Sequence, residues 1–181
     1  MGALDGSGSV ATSVALRHLK EIIIMFQVEF GIVHRDCLVN EMSRAYPQLR
    51  FVCPGGFIVD DSWAEEIIVM DRPGDQDVEM VLAHLQGTSG IDEVELLERT
   101  VEKAFIRIVV SKLPKTFCSQ AVYRNRCFPI GNELQEGGVE KWTVGCVSRE
   151  QGEQLLKELT TLGDLTYQSI TEVGWQALLD A

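Results

Sequence analysis

The order of the predicted secondary-structure elements constrains this sequence most, because the same order occurs twice along the chain. Its clearest part, residues 140–170, predicts a strand, a helix and a strand. Apolar and polar residues alternate through 140–147, as in a half-buried strand, and leucines then recur at helical spacing. Ser148, with Gln151 three residues later, predicts a capping box at the start of the helix. Gly163 predicts a left-handed residue at its end.

Two copies of one pattern account for most of the chain. Each copy predicts strand, helix, strand, strand, helix and strand, which is the order of a ferredoxin-like domain. The first copy has strands over 21–30, 49–53, 64–70 and 91–98 and helices over 36–46 and 76–86. The second copy has strands over 103–110, 127–130, 140–147 and 165–170 and helices over 114–126 and 149–162. The predicted fold class is therefore α+β, with two tandem ferredoxin-like βαββαβ domains that have antiparallel sheets.

Domain boundaries follow from this repeat, which divides near Thr100. We predict a flexible leader over 1–20, ferredoxin-like domains over 21–99 and 100–173, and a C-terminal tail helix over 174–181. Residues 54–56 and the polar stretch 131–138 are predicted to be turns. The strands over 21–30 and 103–110 are apolar on both faces. We therefore expect sheet faces or edges to pack on each other or on a second chain.

Composition and charge narrow the class of protein. Of the 181 residues, 45% are hydrophobic and 24% are charged, as in an ordinary globular domain. The formal net charge of -11 repels nucleic-acid phosphates and disfavours direct nucleic-acid binding. No run of about 18 apolar residues predicts a transmembrane helix, and no signal-peptide core is present. We therefore expect no membrane association and a cytoplasmic location.

Residues around the first predicted helix and the second predicted strand are candidate sensing residues. Cys37 lies at a predicted helix N-terminus, where partial positive charge favours a reactive thiolate. Asp36, the predicted N-cap, opposes that effect, whereas His34 and Arg35 support it. Cys53 ends a predicted strand and is a candidate partner of Cys37 in a switchable pair. We therefore predict ligand or redox sensing at His34, Cys37 and Cys53; the alternative for Cys37 is packing as a small buried hydrophobe.

Other chemistries find little support in the sequence. The remaining cysteines, Cys118, Cys127 and Cys146, occupy positions typical of core packing, and no closely spaced pair predicts a zinc site or a disulfide framework. No glycine-rich phosphate loop is present. The isolated histidines predict no Cys–His nucleophile, which needs a third, orienting group. We accordingly expect no metal, no cofactor and no catalytic residues.

Two segments resemble one family of regulators. The first contains Asp36-Cys37 and then Tyr46-Pro47, and the second is the run Gly-Val-Glu-Lys-Trp-Thr-Val at 138–144. Over about residues 21–173 the chain is similar to the N-terminal sensory region of archaeal bacterio-opsin-activator-type helix-turn-helix transcription regulators. In that family an ACT-like or ferredoxin-like sensory part precedes the DNA-binding helices. The resemblance implies tandem ACT-like domains without a helix-turn-helix, for which residues 174–181 are too few.

The function that this resemblance implies is regulation. We expect a ligand- or redox-sensing module that acts through protein contacts, as a homo-oligomer or paired with a related regulator. ACT-like modules bind small ligands at domain junctions, so a small-molecule ligand is expected as well. A small enzyme of the paired ferredoxin-like barrel type is one alternative; it requires a convergent polar group in an apolar cleft, and a buried His34 or His84 in such a cleft would favour it. Direct DNA binding is the other alternative, and a gel-shift assay at low salt tests it.

Overall fold

A computed structural model describes residues 24–60, 63–111 and 117–179. The helices are α1 (Leu38–Ala45), α2 (Asp75–Gly87), α3 (Cys118–Arg124) and α4 (Arg149–Leu162). The strands are β1 (Met25–His34), β2 (Arg50–Asp60), β3 (Trp63–Asp71), β4 (Ile91–Arg99), β5 (Lys103–Val110), β6 (Phe128–Pro129), β7 (Glu133–Glu136), β8 (Val139–Cys146) and β9 (Gly163–Val173). The predicted leader, residues 1–20, lies outside the described residues. Among those described, no helix combines the length and the apolar character that crossing a membrane requires.

All of these strands join one sheet. Its order is β4-β5-β3-β2-β7-β8-β1-β9, and β6 pairs with β8 beside β7. Every described pairing is antiparallel. The α+β class and the antiparallel pairing are therefore confirmed, but the prediction of two tandem ferredoxin-like (ACT-like) domains is wrong.

The reason is that the first strand of each repeat lies in the sheet of the other repeat. β1 pairs with β8 and β9 of the second copy, and β5 pairs with β3 and β4 of the first copy. Both strands bury apolar side chains on one face, at Phe30 and Ile32 in β1 and at Ile106 and Ile108 in β5. Alternation specifies which face of a strand is buried, but it does not specify the neighbouring strand. The sequence therefore predicts the strands without predicting their exchange.

Strands β2 and β7 join the two halves of the sheet, and neither is fully predicted. β2 continues past the predicted turn at 54–56, with a register shift between Val52 and Gly55, so that turn is wrong. β7 lies within the predicted turn region 131–138, which is also wrong. Its sequence is Glu-Leu-Gln-Glu and its Gln135 is fully buried, so no apolar alternation marks it as a strand.

The helices and strands enclose two apolar cores, one in each half of the sheet. The first core joins α1 and α2 to β2, β3 and β5, and it includes Phe51 and Ile68. The second joins α3 and α4 to β1 and β8, and in it the rings of Phe30 and Trp142 stack with centroids 6.3 Å apart. Each core therefore contains one exchanged strand, so neither half completes its core from its own sequence repeat.

Helix α4 starts as its sequence predicts and ends differently. The N–H of Gln151 donates to Oγ of Ser148 at 3.3 Å, and the N–H of Ser148 donates to Oε1 of Gln151 at 3.2 Å, which confirms the capping box. Gly163 has extended backbone, with φ -175°, so the predicted left-handed residue is wrong. A β-carbon at Gly163 would collide with the carbonyl oxygen of Val33 on neighbouring β1, which explains the glycine.

The C-terminal segment attaches to the sheet through an aromatic contact. The predicted tail helix is a single short 3₁₀ helix, Trp175–Leu178. Trp175 stacks on Phe128 of β6 with ring centroids 6.2 Å apart. The Phe128 ring fills the space beside Gly145 of β8 that a β-carbon would otherwise take.

Candidate functional site

A cavity of about 330 Å³ lies between the two apolar cores. Val39 and Cys53 of the first core and Trp142 of the second core form part of its wall. The side chains around it that can ionise or bind metals are His34, Asp36, Cys37, Cys53, Glu65, Glu66, Cys118, Tyr123, Glu133 and Glu140. A cavity that combines apolar walls with convergent polar groups is the usual form of a ligand site.

The register between β1 and β8 brings His34 to Glu140. Ile32 pairs with Glu140, so His34, two residues further along β1, lies diagonally opposite it on the core face. Nδ1 of His34 lies 3.1 Å from Oε2 of Glu140. The indole N–H of Trp142 donates to the other carboxylate oxygen, Oε1, at 2.6 Å. His34 is only 3% exposed and Glu140 only 2%, so the contact is internal.

Cys118 brings a sulfur atom to the same histidine nitrogen. It is the first residue of α3 and is only 2% exposed. Its Sγ lies 3.8 Å from Nδ1 of His34. The ligand atoms of His34, Cys118 and Glu140 all lie within 4.8 Å of one another. A nitrogen, a sulfur and an oxygen atom therefore converge at the cavity wall.

Glu66 repeats the position of Glu140 in the other half of the sheet. Each glutamate is paired with an isoleucine of the exchanged strand, Glu140 through β1 and Glu66 through β5. Two residues after that isoleucine, β1 has His34 and β5 has Val110. Both halves of the sheet therefore direct a glutamate to the cavity, and only the half that contains β1 adds a histidine.

Two buried amides hold Glu133 and Cys37 beside these groups. Nε2 of Gln135 donates to Oε1 of Glu133 at 2.6 Å and lies 3.8 Å from Sγ of Cys37. Nδ2 of Asn40 donates in turn to Oε1 of Gln135 at 2.9 Å. Asn40 and Gln135 have no exposed surface. Because buried amides adopt positions that satisfy their hydrogen bonds, this chain fixes the side chains of Glu133 and Cys37.

The start of α1 does not provide the reactive thiol expected there. The helix begins at Leu38 with Cys37 as its N-cap, so the predicted N-cap at Asp36 is wrong. Burial, together with nearby glutamate charges, raises the pKa of the Cys37 thiol well above its usual value. Burial raises the pKa of the Cys53 and Cys118 thiols in the same way. These surroundings favour neutral thiols over thiolates.

Acidic side chains crowd the cavity, with no lysine or arginine among the described lining residues to balance them. Burial, followed by the charge of Glu140, raises the pKa of Glu66 to about 7. Burial, followed by the charges of Glu140 and Glu66, also raises the pKa of Glu133 well above its usual value. No lysine or arginine is among the described residues that line the cavity. Within that lining, His34 alone can carry a positive charge.

The structure brings the three predicted sensing residues together, since His34, Cys37 and Cys53 all line this cavity. All five cysteines are free thiols, and redox activity of Cys37 and Cys53 stays a prediction. Sequence reasoning missed Glu140, and it assigned Cys118 to core packing alone. The sequence repeat is the signal that could have identified Cys118, because Cys37 and Cys118 both stand at the start of the helix that follows an exchanged strand.

Comparison with known proteins finds a matching family. A family model described as HVO_2525_N, N-terminal, matches residues 27–165, a range that contains His34, Cys118 and Glu140. No significant match exists among the curated proteins or among the solved structures. The match supports an N-terminal domain of an archaeal Haloferax protein family and provides no link to bacterio-opsin-activator-type regulators.

Proposed function

Since the chain belongs to the HVO_2525_N family of N-terminal domains, we propose that it is a regulatory module that senses a small ligand bound between its two cores. The observation that supports this function is the cavity of about 330 Å³ with its convergent buried polar groups. Protein interiors normally contain few voids larger than a water molecule. A polar cavity built from both halves of the sheet is therefore better explained as a binding site than as a packing defect.

The exchange of β1 and β5 supports a sensing role for this cavity. His34 ends β1, Val110 ends β5, and both residues line the cavity. A ligand that binds one arrangement of these walls better than another shifts the population of the two arrangements. Because each exchanged strand belongs to one sequence repeat and pairs with strands of the other, such a shift affects both repeats. The resemblance to sensory regions of bacterio-opsin-activator-type regulators makes the proposal more specific: the module would regulate transcription through protein contacts.

Filling the cavity tests the proposal. Ala64→Phe places a ring at the cavity wall, whereas Ile67→Phe alters the opposite face of the same strand and is the matched control. Native mass spectrometry of protein isolated from its host without denaturation is expected to show a bound small molecule or ion in the wild type and in Ile67→Phe, but not in Ala64→Phe. Light scattering is expected to show that removal of this ligand changes the association state.

Circular dichroism establishes that both variants are folded before they are compared. A wild-type protein that carries no cavity ligand and stays strictly monomeric at high concentration would contradict both the sensing and the protein contacts.

A cysteine-dependent enzyme is the second candidate, because His34 is buried at the cavity as an active site would require. Cys118 would be the nucleophile, His34 the base and Glu140 the orienting group. In such a triad the nucleophile and the acid contact different ring nitrogens of the histidine. Here Sγ of Cys118 and Oε2 of Glu140 both approach Nδ1. This geometry supports binding better than nucleophilic catalysis.

Alkylation with iodoacetamide distinguishes the two candidates. We expect Cys118 to react at least about tenfold more slowly in the native protein at pH 7 than in the unfolded chain, because burial favours its neutral, unreactive form. Peptide mass spectrometry of timed samples measures the rate, with Cys53 as the buried reference thiol. Native labelling of Cys118 that outpaces labelling of the unfolded chain would favour the enzyme.

A further inference from the structure

We propose that His34, Cys118 and Glu140 are the three protein ligands of a zinc-type divalent metal ion, whose fourth coordination position opens into the cavity. The inference rests on the proposed sensing function and makes it specific: the ion, alone or with a small molecule in its open position, is the sensed ligand. A site with three protein ligands and one open position is a common arrangement for zinc when the ion also binds an exchangeable group.

The distances between the donor atoms fit this coordination. Nδ1 of His34 lies 3.1 Å from Oε2 of Glu140 and 3.8 Å from Sγ of Cys118. With metal–ligand bonds of about 2.0–2.3 Å, neighbouring donors in a tetrahedral zinc site lie about 3.3–3.7 Å apart. Shifts of a few tenths of an ångström would therefore bring Nδ1 of His34 to this spacing from each of its partners, and the ligand atoms of Cys118 and Glu140 lie within 4.8 Å of each other. The approach of both partners to the same nitrogen, which disfavours a proton relay, is what a shared metal ion requires.

The types of donor atom define the class of metal. A thiolate and an imidazole suit zinc, cobalt and iron, whereas calcium and magnesium take oxygen ligands almost exclusively. Only Glu140 offers oxygen among the three side chains. The site therefore favours a thiophilic transition-metal ion over a hard cation.

The charge around the site also favours a cation. Glu66 and Glu133 face the same cavity as Glu140, and the described lining contains no lysine or arginine. When the ion binds, the thiol of Cys118 loses its proton to solvent and its sulfur forms the metal bond, while His34 and Glu140 bind through their lone pairs. The positive ion then offsets the thiolate and the neighbouring carboxylates, so the buried charges compensate one another.

The surroundings of the three ligands are those of a supported site. Trp142 donates its indole N–H to Oε1 of Glu140, which leaves Oε2 directed at His34. Such outer hydrogen bonds orient metal ligands and commonly change metal affinity by about 10- to 100-fold when removed. The open position would face the part of the cavity where Gln135 holds Glu133 and Cys37.

Cobalt provides the direct test, because Co²⁺ reports its ligands through its absorption spectrum. The full chain, freed of metal by a chelator, is titrated with Co²⁺ and then with Zn²⁺. We expect one equivalent of Co²⁺ to bind, with a thiolate-to-cobalt charge-transfer band and the intense visible bands of a tetrahedral site. Zn²⁺ is expected to displace the cobalt and abolish both features.

Variants assign the ligands. Cys118→Ser is expected to remove the charge-transfer band. It is also expected to weaken Co²⁺ binding by about 100-fold or more, because losing a metal ligand costs more affinity than losing an outer hydrogen bond. Glu140→Gln keeps the band and weakens binding strongly, and Trp142→Phe weakens it by about tenfold. Cys127→Ser is the matched control, because Cys127 is another buried cysteine and is not among the described residues that line the cavity, and it is expected to leave spectrum and affinity unchanged. If Cys118→Ser does not fold, protection of wild-type Cys118 from iodoacetamide by Zn²⁺ answers the same question.

Three results would overturn the metal site: cobalt binding without the charge-transfer band, a band that survives Cys118→Ser, or one-to-one Ca²⁺ binding with no cobalt–thiolate spectrum. If one of them occurs while the native protein still carries a cavity ligand that Ala64→Phe removes, the metal site is wrong and the sensing function stands. If the metal binds as described but its removal leaves the association state unchanged, the sensing function is wrong and the metal site stands.

Discussion

Expressed separately, residues 1–100 and 101–181 are expected not to fold as monomers. The cut falls in the connection between β4, which ends at Arg99, and β5, which begins at Lys103. The only described partner of β4 is β5, and the only described partner of β9 is β1. Each fragment therefore loses the strand that ties its last strand to its sheet. The total stability of a typical domain is only about 5–15 kcal/mol, so a fragment that lacks a central strand of its sheet and the core side chains on that strand is not expected to stay folded.

Mixing the fragments is expected to restore the fold as a one-to-one complex, because each fragment supplies the strand that the other lacks. Circular dichroism, cooperative thermal unfolding and light scattering of the fragments, alone and mixed, measure this. The control is the intact chain with a protease site in the same connection, which is expected to remain assembled after cleavage. Two fragments that each unfold cooperatively as monomers would show independent domains and contradict the exchanged arrangement.

Glu66→Gln is expected to stabilise the metal-free protein by about 3 kcal/mol at pH 8 and to have little effect at pH 4. Burial and the charge of Glu140 raise the pKa of Glu66 from 4.5 to about 7. The folded protein therefore holds this proton more tightly than the unfolded chain, and the contribution of Glu66 to stability falls as the pH rises through this interval. One pKa unit corresponds to about 1.4 kcal/mol, and glutamine removes the ionisation altogether.

Glu65, the residue next to Glu66, provides a control whose expected effect on the free energy of unfolding has the opposite sign. Glu65 accepts a hydrogen bond from Arg107 at 2.8 Å, and this bond lowers the pKa of Glu65. Its stabilising contribution is present above the unfolded pKa and is lost as the pH falls, so Glu65→Gln is expected to destabilise the protein at pH 8. Urea unfolding of both variants and the wild type at pH 4, 6 and 8 measures the free energies. A Glu66→Gln protein no more stable than wild type at pH 8 would show that Glu66 is not held in a repulsive environment.

The sequence predicts the elements of this fold better than their partners. The strand over 103–110 and the helix over 149–162 coincide with the observed bounds, because their apolar residues repeat with a clear period. Strand pairing depends on which complementary edge a strand meets, and the apolar alternation of β1 and β5 does not specify which repeat each strand joins. β7 has no pattern at all, because Gln135 is buried for its hydrogen bonds and not for its apolar surface.

Only part of the candidate site can be predicted from the sequence, and the reason is again strand pairing. His34, Cys37 and Cys53 are predictable because all three belong to the first repeat, where Cys37 and Cys53 lie at the ends of predicted elements and His34 lies close to Cys37 in the sequence. Cys118 and Glu140 belong to the second repeat, and only the exchange of β1 brings His34 to them. A prediction that assigns each repeat its own sheet necessarily separates these residues. The error in the fold and the omission in the site therefore have a single cause.

The joining of two repeats in one chain allows the two ends of the cavity to differ. In a two-fold homodimer of a single repeat, every residue at the interface would be present twice, in equivalent surroundings. Here the equivalent positions at the ends of β1 and β5 are occupied by His34 and Val110. One end of the cavity has an imidazole beside its glutamate and the other an aliphatic side chain. A covalently joined pair can thus specialise one end for a polar ligand atom and the other for an apolar one, a directional preference that symmetric subunits cannot have.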